Sequence, residues 1–123
     1  MHLRMTIKRN LRPDELELIE FLLAKAPEGE VLARNVPRRL VEEMSDGGMG
    51  SIRFSSDQVD RHYGKTIAEA EFDDRDGVLV SAALNVDQTG DLYELDMWKV
   101  DFSPLIRLPA ADKIRPSSFR RLK

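Results

Sequence analysis

Apolar residues recur at three- and four-residue steps over 13–26, where Leu16, Ile19, Leu22, Leu23 and Ala26 form one stripe and Leu18 and Phe21 widen it. That spacing predicts an amphipathic helix. Pro13 suits the first turn, because its missing N–H would have no helical partner there. Asp14, Glu15, Glu17 and Glu20 in the first half, with Lys25 near the end, complement the helix dipole. Pro27-Glu28-Gly29 stops the helix.

Beyond residue 39 the period falls to two. Segments 40–44 and 51–55 flank Ser45-Asp46-Gly47-Gly48-Met49-Gly50, whose glycines supply the positive φ of a hairpin turn. A polar stretch over 56–64 reads as a loop or short helix. Segments 65–72 and 78–86 then flank Asp73-Asp74-Arg75-Asp76-Gly77, and 78–86 and 92–101 flank Asp87-Gln88-Thr89-Gly90, giving two further hairpins. Val78, Val80, Ala82, Leu84 and Val86 share one strand face while Leu79 and Ala83 occupy the other, the mark of an inner strand. Along 92–101, Tyr93, Leu95 and Met97 share one face; Glu94 and Asp96 project with Trp98 and Val100 from the other. Ser103-Pro104 breaks this ladder, and 105–109 continues as an edge segment or coil. The expected architecture is α+β, one N-terminal amphipathic helix packed on a four- or five-stranded antiparallel meander sheet. A basic arm (1–12) precedes that domain (13–108), and a loosely ordered basic tail (109–123) follows it.

Composition narrows the function classes. At 123 residues the chain suits one domain. No window approaches 18 uninterrupted apolar residues, so no membrane-spanning helix is expected. The first residues lack the apolar stretch and cleavage site of a secretory signal. With no cysteine there is no disulfide framework, thiolate nucleophile or zinc knuckle, and the expected location is the cytoplasm.

The net charge of −3 hides a split. Residues 1–12 carry +4, 107–123 carry +5, and 13–106 carry −12. The basic ends can fold back on their acidic body, grip a polyanion, or stand as solvated ends. Nucleic acid is disfavoured as a partner, because Phe119 is the sole aromatic in either basic end and base stacking needs more. A basic protein partner suits the acidic body, since opposite fields speed association.

The candidate chemistry is sparse. Asp46-Gly47-Gly48-Met49-Gly50-Ser51 has the glycines of a phosphate cradle, yet a strand-like Ile52-Arg53-Phe54 follows in place of a helix and there is no Gly-Lys-Ser/Thr ending. It reads as a tight turn, with Met49 a plausible protein contact. Asn85 to Asp96 partly mimics a calcium loop, but Asn stands first, the shorter Asp stands twelfth, and strands flank it. His2 and His62 are far apart and make a poor metal pair. Glu69 with Glu71, or Glu94 with Asp96, could pair on one sheet face, although carboxylates at that spacing are commonly a solvated face. No nucleophile motif is recognisable. The expectation is a non-enzymatic chain with no cofactor and no metal. Trp98, the only tryptophan, is either a core anchor or a partly exposed interface residue beside Glu94 and Asp96.

The Asp46-to-Ser51 stretch, followed downstream by Gly90-Asp91-Leu92-Tyr93-Glu94-Leu95-Asp96-Met97-Trp98-Lys99-Val100-Asp101-Phe102-Ser103-Pro104-Leu105, resembles a family of small uncharacterised bacterial proteins over 11–109. That resemblance implies no activity and transfers no site residue. In format, a small, acidic, cysteine-free α+β chain is similar to the immunity proteins that neutralise toxins delivered between bacteria. The functional expectation is a protein-binding module, immunity-like in its sharpest form, using Met49, Glu94, Asp96 and Trp98 against a basic protein. The alternative is a small-molecule binder or enzyme with a pocket between helix and sheet, drawing on Glu69, Glu71 or Tyr93. Monomer and homodimer are equally compatible with the sequence.

Overall fold

Each of the three glycine-bearing turns closes a hairpin in the computed structural model, which describes residues 7–117. β2 (Leu40–Glu43) pairs with β3 (Ile52–Phe54), β4 (Tyr63–Asp73) with β5 (Leu79–Asp87), and β5 with β6 (Leu92–Lys99). Gly77 and Gly90 hold φ of 79° and 89° at the second and third turns, a region that costs a residue with a Cβ about 1–2 kcal/mol. Alternation places Val80, Ala82, Leu84 and Val86 of β5 opposite Leu95 and Met97 of β6 and Ala68, Ala70 and Phe72 of β4. All of these are buried on one side of the sheet.

The helix α1 (Pro13–Leu23) covers that side. Its stripe of Leu18, Ile19, Leu22 and Leu23 is at most 2% exposed, and it joins Phe54, Phe72, Val80 and Leu84 in one filled apolar core. Each such side chain contributes about 1.5–3 kcal/mol by leaving water. The expected last turn of α1 closes instead with i→i−3 bonds, Lys25 to Leu22 and Ala26 to Leu23.

Three features differ from the expected single helix on a meander. A second short helix, α2 (Gly29–Ala33), follows the stop signal. It turns back tightly because Gly29 lies against the Leu23 carbonyl, where an added Cβ would come within 1.8 Å of the oxygen. The sheet has seven strands, because β1 (Arg9–Asn10) precedes α1 and pairs with β2, and β7 (Arg115–Pro116) pairs with β4. The strand order is β1-β2-β3-β6-β5-β4-β7, antiparallel throughout. β6 therefore lies between β3 and β5, and only β4-β5-β6 is a meander. Sequence alternation fixes which face a residue occupies but says nothing of which strand becomes its neighbour.

Ionic networks pin both ends of the central strands. At one end Asp87 accepts from the Thr89 hydroxyl at 2.6 Å, the Thr89 and Asp91 backbone N–H groups, and Arg61 Nε at 2.8 Å. Arg61 also donates to the carbonyls of Phe54 and Leu92, and Arg39 spans Asp91 and the Ser55 carbonyl. One bridge thus ties the ends of β3, β5 and β6 together. At the other end Lys99, with no exposed surface, donates to Asp74 at 2.8 Å, Asp76 at 2.7 Å and the Pro104 carbonyl at 3.1 Å. Asp74 in turn accepts from the backbone N–H groups of Arg75, Ile106 and Arg107, so the segment after β6 is strapped to the β4–β5 turn.

Candidate functional site

The sheet face turned away from α1 carries the polar residues that alternation leaves over. Glu42 of β2, Arg53 of β3, Glu94 of β6, Asn85 of β5 and Thr66 of β4 lie side by side across the strands. Side-chain bonds link most of this row. Arg53 Nη2 donates to Glu94 Oε2 at 2.9 Å, Asn85 Nδ2 donates to Glu94 Oε1 at 3.0 Å, and the Thr66 hydroxyl donates to Asn85 Oδ1 at 2.7 Å. Tyr63 extends the chain, its hydroxyl 2.9 Å from Thr66 Oγ1. Glu94 is therefore held in one orientation by two donors from flanking strands.

Next to this row come Glu69 and Asp96 on either side of Ala83, then Glu71 and Trp98 on either side of Ser81. Ala83 and Ser81 are buried. Arg115 of β7 bonds Glu71 and Asp73 at the edge, both at 3.0 Å. Among the described residues, Glu42, Glu69, Glu71, Asp73, Glu94 and Asp96 share this face with two guanidiniums, Arg53 and Arg115. The face is acidic, and Trp98 and Tyr63 are aromatic residues on it.

Three of the four residues singled out in the sequence, Glu94, Asp96 and Trp98, stand on this one face. Met49 does not join them. It sits in the β2–β3 turn, partly buried, with its sulfur 3.4 Å from the Lys99 backbone N–H. Leu105 N–H donates to the Gly48 carbonyl and closes the same loop against the segment beyond β6. Tyr93 also departs from expectation. Asn85 pairs with Glu94 while Val86 pairs with Leu92, so Tyr93 is the extra residue of a bulge and leaves the Leu95–Met97 row. Its ring has the guanidinium carbons of Arg53 at 4.4 Å and Arg61 at 5.2 Å from its centroid.

Phe102 carries no site signal in the sequence, yet it lies beside Trp98 with ring centroids 6.3 Å apart and planes tilted by 53°. The Asp101-Phe102-Ser103 turn that places it is readable in hindsight, because Asp101 Oδ1 accepts both the Ser103 N–H and its hydroxyl. The calcium-like stretch is a hairpin whose Asp87 and Asp91 are engaged by Arg61 and Arg39. Among the described residues no group of three potential metal ligands converges. His2 lies outside the described residues, and His62 is exposed, its backbone N–H donating to the Gln88 side-chain oxygen.

Groups with shifted pKa values include members of the two pinning networks and Glu15 of α1. Burial alone would push Asp87 up, but Thr89, Arg61 and the backbone donors hold it down at about 2. Burial opposes the charge on Lys99 as well, and the paired Asp74 and Asp76 overcome it and raise the ammonium above its ordinary value. Asp74 is lowered despite burial by Lys99 and three backbone N–H groups. Glu15 on α1 is lowered against burial by a two-pronged Arg9 contact at 2.8 and 2.9 Å and by the Arg12 N–H. In each case the charge is already matched, so these groups serve structure.

Clefts open at the rim. One of about 360 Å³ lies between the start of α1 and the glycine turn, lined by Arg9, Glu15, Gly48 and Leu105. Another of about 600 Å³ lies beside His62 and the 86–90 turn. Neither brings together Glu69, Glu71 and Tyr93. Among the described residues no helix is long and apolar enough to cross a membrane.

No curated protein and no solved structure matches the chain. Residues 8–109, from the strand that precedes α1 to the end of the strap beyond β6, match the family described as a domain of unknown function, DUF6984. With that match covering most of its length, the chain belongs to the DUF6984 family.

Proposed function

We propose that this chain is a non-enzymatic protein-binding module whose acidic sheet face receives a basic protein, with neutralisation of a basic toxin, in the manner of a bacterial immunity protein, as the sharpest form. The observation that carries the reading is the shared orientation of Glu94, Asp96 and Trp98 on the face opposite α1. An aromatic within a carboxylate rim is a common hot-spot arrangement, in which the ring supplies contact area and the rim supplies steering. Six carboxylates from β2, β4 and β6 share that face, so the field is set by the sheet's own register and needs no loop rearrangement. The absence of cysteine suits the cytoplasm of the producing cell.

The test is capture from the native cell by wild type and by a Trp98→Ala/Asp96→Asn chain, followed by association rates for the captured protein. The expected partner is basic, is lost by the double variant, and associates about tenfold or more slowly when salt rises from about 0.05 to 0.5 M. Equal association rates across that range would remove the electrostatic basis of the reading.

A further inference from the structure

The buried carboxylate of Asp74 roots two cations at one point. Its Oδ1 accepts the backbone N–H of Arg75 at 2.8 Å and that of Arg107 at 3.1 Å, while its Oδ2 accepts from the Ile106 N–H and Lys99. Those donors fill the lone-pair sites of the carboxylate. Neither guanidinium can therefore bond the acid that fixes its backbone. Among the described residues, the exposed side chains of Arg75 and Arg107 make no hydrogen bond or ion pair. Lys113 is a third cation of this kind, its backbone N–H held by the Ala110 carbonyl at 2.9 Å. Like charges rooted together repel, and an anion between them removes that cost. In a chain with more acids than bases, such a surplus does nothing for the fold, and sites of that kind are where function is expected.

All three cations line one cleft of about 470 Å³, bordered by α1, the β4–β5 turn and the strap beyond β6. Its acidic walls are Asp14, Glu17 and Asp73, and each already accepts on one oxygen. Asp14 Oδ1 accepts from Arg12 and the Glu15 N–H, Glu17 Oε1 from the Ala111 N–H, and Asp73 Oδ1 from Arg115. Among the described residues, the second oxygens of Asp14 and Glu17 carry no hydrogen bond. The cleft thus offers spare cationic donors together with spare acceptors, in a volume ordinary for a small-molecule site. Guanidinium and ammonium groups bind phosphate through charge-assisted hydrogen bonds, and carboxylate oxygens accept from hydroxyls. We infer that this cleft binds a phosphorylated sugar or polyol. Arg75, Arg107 and Lys113 hold the phosphate, and Asp14 and Glu17 accept from the hydroxyls. The site makes no use of Glu94, Asp96 or Trp98, so it stands or falls independently of the protein-binding reading.

The test is amide NMR titration of the full chain. The probes are glucose 6-phosphate, glucose, inorganic phosphate, and an acetylated, amidated Gly-Gly-phosphoserine-Gly-Gly peptide. Glucose 6-phosphate is expected to shift the amides of Arg75, Arg107 and Lys113 saturably, and glucose is expected not to. Inorganic phosphate and the peptide are expected to bind about tenfold more weakly, since neither brings the sugar hydroxyls. Arg107→Gln is expected to weaken glucose 6-phosphate binding about tenfold. Its thermal midpoint should stay unchanged, because the side chain has no partner to lose. Lys113→Gln repeats the test at a second exposed position. No saturable response to glucose 6-phosphate, or a saturable response to glucose, overturns the inference. So does inorganic phosphate or the peptide binding as tightly as the sugar phosphate, the peptide result pointing to a phosphorylated protein instead. Shifts confined to residues 1–12 or 118–123 would place the anion on the basic ends and also overturn it. Binding undiminished in both glutamine variants does the same.

Discussion

Replacing Asp87 by asparagine tests whether a charged anchor holds the end of the sheet. The native carboxylate lies at about 2 instead of its ordinary 3.8, a difference worth about 2 kcal/mol of preference for the charged form in the folded state. Because the folded value lies below the unfolded one, this stabilisation is complete above about pH 5 and is lost as pH falls toward 2. The substituted amide would retain an oxygen for the Thr89 and Asp91 N–H groups, but it would leave Arg61, only 9% exposed, facing a neutral group. Asp91 at 3.6 Å and the Phe54 and Leu92 carbonyls would still hold that guanidinium. The cost is therefore set near 2 kcal/mol, below the 3–5 typical of a wholly orphaned buried charge. Urea unfolding of both chains at several pH values measures the gap, expected as a midpoint shift of about 1–2 M at neutral pH. The gap should narrow by about 1 kcal/mol by pH 3 and by about 2 kcal/mol by pH 2. A gap that stays constant with pH, or that is below about 0.5 kcal/mol at neutrality, refutes the reasoning.

Two further perturbations separate backbone space from charge. Gly64→Ala would bring a Cβ within 2.3 Å of the Asp87 carbonyl oxygen and should cost more than about 2 kcal/mol. Gly77→Ala meets nothing within 4 Å and bears only its φ of +79°, a cost of about 1 kcal/mol. Equal urea midpoints for the two alanine chains would contradict this. Asp74→Asn, which leaves Lys99 with Asp76 and one carbonyl, should cost about 3 kcal/mol. It should also speed amide exchange at Ile106 and Arg107, whose N–H groups Asp74 accepts. Unchanged exchange at those two amides would show that the strap holds without it.

The hairpins were legible because each carries its own chemistry: a glycine able to take positive φ between two alternating runs. The buried stripe of α1 was legible for the same reason, since helical spacing is a local property. β1 and β7 were not. Each is two residues long, and each is tied to the body by an arginine bonded to a buried carboxylate, Arg9 with Glu15 and Arg115 with Glu71. In the sequence Glu71 reads as part of a solvated face and Glu15 as a helix-dipole charge, because the arginine that pairs with each lies in a basic end. Lys99 gave a signal that alternation could have supplied, as it shares the row of Leu95 and Met97 and so requires an acidic partner inside. Of the candidate site, Glu94, Asp96 and Trp98 were found by strand period. Tyr93 moved because a bulge resets that period, and Met49 because turn geometry has no period to read.

The place of β6 between β3 and β5 has a consequence for how the chain is made. During synthesis the first three strands can pair only among themselves, leaving Ile52 and Phe54 on an open border until residues 92–99 emerge. Long-range closure of this kind is slow and exposes apolar surface to aggregation. The last long strand therefore both completes the nascent sheet and carries Glu94, Asp96 and Trp98, so evolutionary drift at these three positions is restrained by the need for the same segment to finish folding.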